Sequence, residues 1–112
     1  MKIVSDNKVV YTPIEIIKYE TFLRRFKGLM FRRKPIAKEG IFLFPCNSIH
    51  MFFMFFPIDV VFLNEQKQIV YLKESVKPWT VIFPIKKAVS VLELPANTIS
   101  NYSLEVGDTI EF

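Results

Sequence analysis

Seven prolines, Pro13, Pro35, Pro45, Pro57, Pro78, Pro84 and Pro95, divide this chain into short apolar runs. Proline cannot donate to a central ladder, so each one favours an edge, a loop or the end of an element. Between them lie short segments rich in Ile, Val and Phe, bounded by Gly, Asn and Asp. That pattern predicts a mainly β fold, a small single-domain barrel or sandwich spanning residues 1–112, of mostly antiparallel strands with one or two short helices.

The segments follow in order. Ile3 to Tyr11 reads as two strand ends around a Ser5-Asp6-Asn7 turn. Ile14 to Lys18 is an imperfect strand, and Thr21 is placed to cap a short helix through about Lys27. Gly28 stands where a left-handed residue ends a helix. Further strands are predicted over Ile41–Phe44, Ile49–Phe55, Ile58–Leu63, Gln68–Leu72 and Ala88–Leu94, with a loop or irregular edge strand between Lys77-Pro78-Trp79 and Phe83-Pro84. Asn97 to Asn101 reads as one helical turn, and Thr109 to Phe112 as the last strand.

Composition sets the bounds. At 112 residues, with 51% hydrophobic and 23% charged residues, the chain has material for one globular core. A single cysteine, Cys46, excludes an internal disulfide and fits a reducing, cytoplasmic setting. The N-terminus turns polar too soon for a signal peptide. The apolar run Met51 to Phe56 is far short of the roughly 20 residues a spanning helix requires. Net charge is +4, and Arg24, Arg25, Lys27, Arg32, Arg33 and Lys34 form a basic stretch. No groove-reading motif accompanies it, so nucleic acid is not an expected partner.

Chemistry concentrates between Ile49 and Leu63, where His50 and Asp59 are the polar exceptions among Phe, Met, Ile and Val. A buried polar group needs a partner or a task. Regular alternation puts His50, Phe52 and Met54 on one strand face and Met51, Phe53 and Phe55 on the other. His50 is a candidate general base, and Asp59 either orients it or bonds nearby turn amides. His50 with Met54 suits a soft metal such as copper(I), yet one histidine without further ligands makes a poor site; no metal or cofactor is assigned. Cys46 with His50 suggests a thiol–imidazole pair. Glu93 lies opposite Leu92 and Leu94 in its strand, either solvated or joining His50 and Asp59 in one pocket. Arg32 offers a clamp for an anion, and Trp79 a stacking surface or a lid.

Several of these segments occur together in a known order: Gly28-Leu29-Met30-Phe31-Arg32, Gly40-Ile41-Phe42-Leu43-Phe44, His50 with Met54 and Pro57-Ile58-Asp59, Val91-Leu92-Glu93-Leu94-Pro95, and Gly107-Asp108. From about Tyr19 to Phe112 the chain resembles domain-of-unknown-function family 192, small uncharacterised microbial proteins. The resemblance implies a compact, mostly β, barrel-like domain and no established substrate, cofactor or activity. Two departures stand out. Phe55 occupies a place where the family usually has Lys or Arg, which removes a cation and points to an outward apolar contact. Asn97 replaces a usual Gly, and Asn tolerates a left-handed backbone.

Three readings follow. The first is a non-enzymatic binding module that holds a small ligand or protein segment near His50, Asp59 and Trp79, with Met54, Glu93 and Arg32 as further candidates. The second is a hydrolase- or lyase-type enzyme with His50 as base. The third is an assembly protein that self-associates through the Phe53 and Phe55 face.

Overall fold

Every residue of Ile58–Leu63 and of Ser90–Pro95 is buried, so both segments are covered on both faces. The computed structural model describes residues 1–21 and 28–112. Among the described residues the elements are β1 (Lys2–Ser5), β2 (Lys8–Tyr11), β3 (Glu15–Tyr19), β4 (Glu39–Leu43), β5 (Ile49–His50), β6 (Ile58–Leu63), β7 (Ile69–Val76), β8 (Val81–Ile82), β9 (Ser90–Pro95), α1 (Thr98–Tyr102) and β10 (Thr109–Glu111). The expected helix through Lys27 lies outside the described residues, as do Arg24, Arg25 and Lys27. Gly28 has the left-handed φ of 48° expected of it.

The strands form a five-stranded sheet of order β3-β4-β9-β6-β7, a three-stranded sheet of order β10-β1-β2 and a small β5-β8 pair. Pairing is antiparallel except between β3 and β4, which run parallel. The mainly β expectation holds, but the barrel does not: β3 and β7 end the large sheet and no pairing among the described residues closes it. Among the described residues the Gln68–Thr109 bridge ties the sheets together instead, with backbone bonds from Ile69 N–H to the Asp108 carbonyl (2.8 Å), Gly107 N–H to the Ile69 carbonyl (2.9 Å) and Ile110 N–H to the Lys67 carbonyl (3.0 Å).

Alternation along the central strands sorts two cores. Ile58, Val60, Phe62 and Val91 face Leu29, Met51, Met54 and Ile82. Val61, Leu63, Leu92 and Leu94 face Ile3, Ile99, Leu104 and Ile110. Each such side chain contributes roughly 1.5–3 kcal/mol on burial, enough for this two-sided covering to dictate the layers. Gly40 marks the closest approach: a Cβ there would lie 2.8 Å from both Ile16 Cδ1 and Leu94 Cδ2.

The predicted strand Ile49–Phe55 ends after His50. Met51 N–H donates to the Thr80 carbonyl, and the Met51 carbonyl accepts from both Trp79 N–H and Met54 N–H. Phe53 turns the chain at φ 59°. Met51, Met54 and Phe56 therefore point inward, while Phe52, Phe53 and Phe55 are exposed. A run apolar at nearly every position carries no alternation from which a turn can be told from a strand.

Asp59 is fully buried, on the face opposite that of Ile58 and Val60. The β6–β7 register slips here, and Ser75 stands at φ 48° in the resulting bulge. Ser75 N–H donates to Asp59 Oδ1 (2.9 Å) and Ile99 N–H to Oδ2 (2.8 Å). The α1 N-cap, Asn97, is left-handed at φ 75° and makes no side-chain cap bond. Asp59 thus supplies, from a neighbouring strand, the acceptor that the helix start lacks. Replacing Asp59 with Ala leaves two amides without that acceptor, and urea unfolding is expected to show a loss of about 3 kcal/mol. A loss below about 1 kcal/mol would mean that these amides do not depend on the carboxylate.

Candidate functional site

Glu93 occupies the other face of β9 from Leu92 and Leu94, as alternation predicts, but it is buried at 4% exposure, not solvated. Its strand neighbours in register are Ile41 and Val60. Its Oε1 has no hydrogen-bond partner among the described residues. Desolvation by burial raises its pKa from 4.5 to about 7.

Glu93 lines a partly open cavity of about 40 Å³ together with His50, Cys46, Ser48, Met54 and Leu29. Short elements build its walls. The cavity-lining Cys46, Ser48 and Ile49 lead from the end of β4 into β5, whose last residue is His50. Gly28, Leu29 and Met30 supply the apolar remainder. Cys46 Sγ donates to the Ser48 carbonyl (3.0 Å). His50 Nδ1 accepts from Phe52 N–H (3.3 Å), so a backbone amide orients the imidazole where a backbone carbonyl is the commoner partner. Larger open clefts of about 470 Å³ exist elsewhere, one of them beside Phe42, Phe44 and Lys67. Neither contains a buried ionisable group without a partner.

Three of the six residues singled out from the sequence, His50, Met54 and Glu93, share this cavity. Trp79 stands just outside, linked through Phe52: the Phe52 ring centroid lies 5.1 Å from that of His50 and 6.1 Å from that of Trp79. Arg32 is half-buried and pairs with Glu39 at 3.6 Å. Asp59 is on the far side of the sheet, with both oxygens engaged by amides other than those following Pro57. No group of three or more His, Cys, Asp or Glu side chains among the described residues could hold a metal ion. Ser48 and Phe31 were not singled out as site residues. The one signal for Phe31 was its position between buried Met30 and the cations Arg32, Arg33 and Lys34.

The sequence model of the DUF192 family, described as an uncharacterised ACR, matches residues 2–112. The chain belongs to the DUF192 family. A UPF0127 protein of Pyrococcus furiosus is 38% identical over 88% of this chain and 87% of its own length. One from Pyrococcus abyssi is 32% identical over 98% and 96%. A Thermococcus sibiricus relative is 36% identical over 83% of this chain, which spans only 62% of that protein. Among solved structures, a Novosphingobium aromaticivorans protein of unknown function superposes with a TM-score of 0.83, at 19% identity over 99% of this chain and 82% of its own. A Sinorhizobium meliloti protein, described as a suspected transcription regulator, superposes at 0.84, with 20% identity over 98% and 89%. These two likenesses establish the shared fold alone. No specific function is established for this DUF192 domain or for the family.

The Glu93 carboxyl has a measurable signature. Its folded-state pKa is raised, so the protonated form is favoured and its ionisation opposes folding. Stability is therefore expected to fall as pH rises from 4.5 to about 7, by about 3 kcal/mol in all. Glu93→Gln should remove this slope and leave the variant more stable than the parent above pH 7. Parallel urea-unfolding profiles for the two proteins across pH 4–8 would refute the assignment.

Proposed function

We propose that this DUF192 domain is a binding module whose anchor point is the Glu93 carboxyl. The observation that carries the reading is Oε1 of Glu93, buried beside a cavity with no hydrogen-bond partner among the described residues. A carboxyl in that state costs stability and gains most from an incoming donor. The cavity volume, about 40 Å³, suits one small group and not a whole ligand. The partner is then a small ligand or a protein segment that inserts a single donor, with a primary ammonium the best match to an ionised carboxylate. His50, Ser48 and Met54 border the same space and would set its shape. The lone cysteine fits work in a reducing compartment such as the cytoplasm.

The enzyme reading draws on the same cavity. A carboxyl that titrates near pH 7 suits proton transfer, and His50 is its neighbour there. In that case Glu93, not Asp59, is the carboxyl that would work with His50 as base.

Methylammonium and ethylammonium, titrated against the labelled protein by NMR, test the binding reading. Shifts are expected at Ser48, His50 and Met54, growing stronger as pH rises through 7 and Glu93 ionises, and absent in Glu93→Gln. Binding that is indifferent to pH and to Glu93→Gln would overturn it.

A further inference from the structure

The aromatics outside the cavity form a second feature that the binding reading does not use. Phe31, Phe53 and Trp79 are 57%, 43% and 59% exposed, and each has a left-handed backbone, at φ 66°, 59° and 66°. Bulky side chains rarely adopt that conformation, which costs about 1–2 kcal/mol per residue. Here three of them come together. The Phe31 and Phe53 rings stack at 5.0 Å, and Trp79 meets Phe53 edge-on at 5.0 Å. Backbone bonds clasp the turns beneath: Phe31 N–H to the Phe53 carbonyl (2.9 Å) and Trp79 N–H to the Met51 carbonyl (2.7 Å). Strained turns held so as to present aromatic rings to water point to a partner that covers the rings.

Charge identifies the partner. The segments that carry these rings, residues 28–38, 45–57 and 77–89, contain seven Lys or Arg residues and no Asp or Glu; one of the seven, Arg32, is paired by Glu39 just beyond, which leaves six. Arg33, Lys34 and Lys77 are exposed close in sequence to Phe31 and Trp79. A second copy of the chain would bring two cationic rims together, which like-charge repulsion opposes. A single-stranded nucleic acid needs open ring faces for its bases, but Phe31 and Phe53 turn a face to each other. Apolar rings on turn tips, with exposed cations next to them in sequence, match the interface of an anionic lipid bilayer, where Trp and Phe enter the headgroup boundary and Lys and Arg meet the phosphates.

We propose that the Phe31–Phe53–Trp79 cluster docks this domain on anionic membrane surfaces without spanning them. Trp79 is the only tryptophan, so its fluorescence reports on the cluster directly. With vesicles of phosphatidylcholine and phosphatidylserine the expected result is co-sedimentation together with a blue shift of Trp79 emission. Pure phosphatidylcholine vesicles should bind far more weakly. The double variant Phe53→Asn, Trp79→Asn suits the left-handed turns and should keep the fold while weakening partitioning about a hundredfold, followed by sedimentation. Lys77→Gln should weaken it roughly fivefold. Three results would each overturn the proposal: no sedimentation with anionic vesicles at low salt, binding without a blue shift that the double variant leaves unchanged, or dimerisation in light scattering that Phe55→Lys abolishes and vesicles do not compete with. Quenching of Trp79 by single-stranded oligonucleotides without vesicle binding would equally overturn it in favour of nucleic acid. Methylammonium binding at Glu93 is read separately, so either proposal can fail alone.

Discussion

The two-sided burial of β6 and β9 is the constraint on which the rest of the molecule depends. Any side chain on these strands is inside, whatever its chemistry. Both strands carry a carboxyl, and the two solve the same problem in opposite ways. Asp59 faces the core shared with β1, β10 and α1, and two backbone amides meet it. Glu93 faces the core shared with β5 and β8, and no described donor meets its Oε1. A buried carboxylate with two amide bonds welds elements together; one without them raises its own pKa. The same burial therefore yields a fastening on one face of the sheet and a poised group on the other.

Much of this was legible in the chain because β periodicity is short and the Pro and Gly punctuation dense. β6 is bounded by Pro57 and Asn64 and has the predicted ends. Asn97 takes the left-handed conformation for which a Gly would ordinarily be used. Glu93 could be assigned to its face, opposite Leu92 and Leu94, but not to a covered face. Exposure depends on what packs above the strand, and that is a tertiary fact. The barrel expectation failed for a related reason: short antiparallel strands are common to barrels and layered sheets, and closure depends on edges far apart in sequence. The stretch after His50 was the hardest to read. With Met or Phe at every position from Met51 to Phe56, hydrophobicity could not signal the turn at Phe53, which backbone bonds to Thr80 and Trp79 impose.

Local rules and global structure agree over most of the molecule, so the departures carry information. Outside the aromatic cluster, the non-glycine residues with positive φ are Lys67, Ser75, Lys87, Asn97 and Ser103, polar residues in turns, bulges or helix ends. Each has a local explanation: Lys67 closes the turn that Asn64 organises, Ser75 forms the bulge that Asp59 holds, Lys87 sits in the turn closed by Ala88 N–H on the Ile85 carbonyl, Asn97 is the N-cap of α1, and Ser103 ends α1 with bonds to Ile99 and Ser100. Phe31, Phe53 and Trp79 have no such excuse of side-chain type. Relaxing their turns with Asn or Gly would cost less buried apolar area than a change in the core, because the three residues are 43–59% exposed.

The two departures that lack a structural reward, the carboxyl whose Oε1 no described residue meets and the strained rings, are not scattered. His50 connects them: its side chain borders the Glu93 cavity and its ring touches Phe52, which in turn reaches Trp79. A fold under selection for stability alone has simple repairs for both, a Leu on β9 and an Asn at each turn. Their coincidence on one side of the sheet, while both oxygens of Asp59 on the other side accept backbone amides, is what supports the proposal of a working β5–β8 side. There a group entering the cavity and a surface covering the rings would meet the same histidine from two directions.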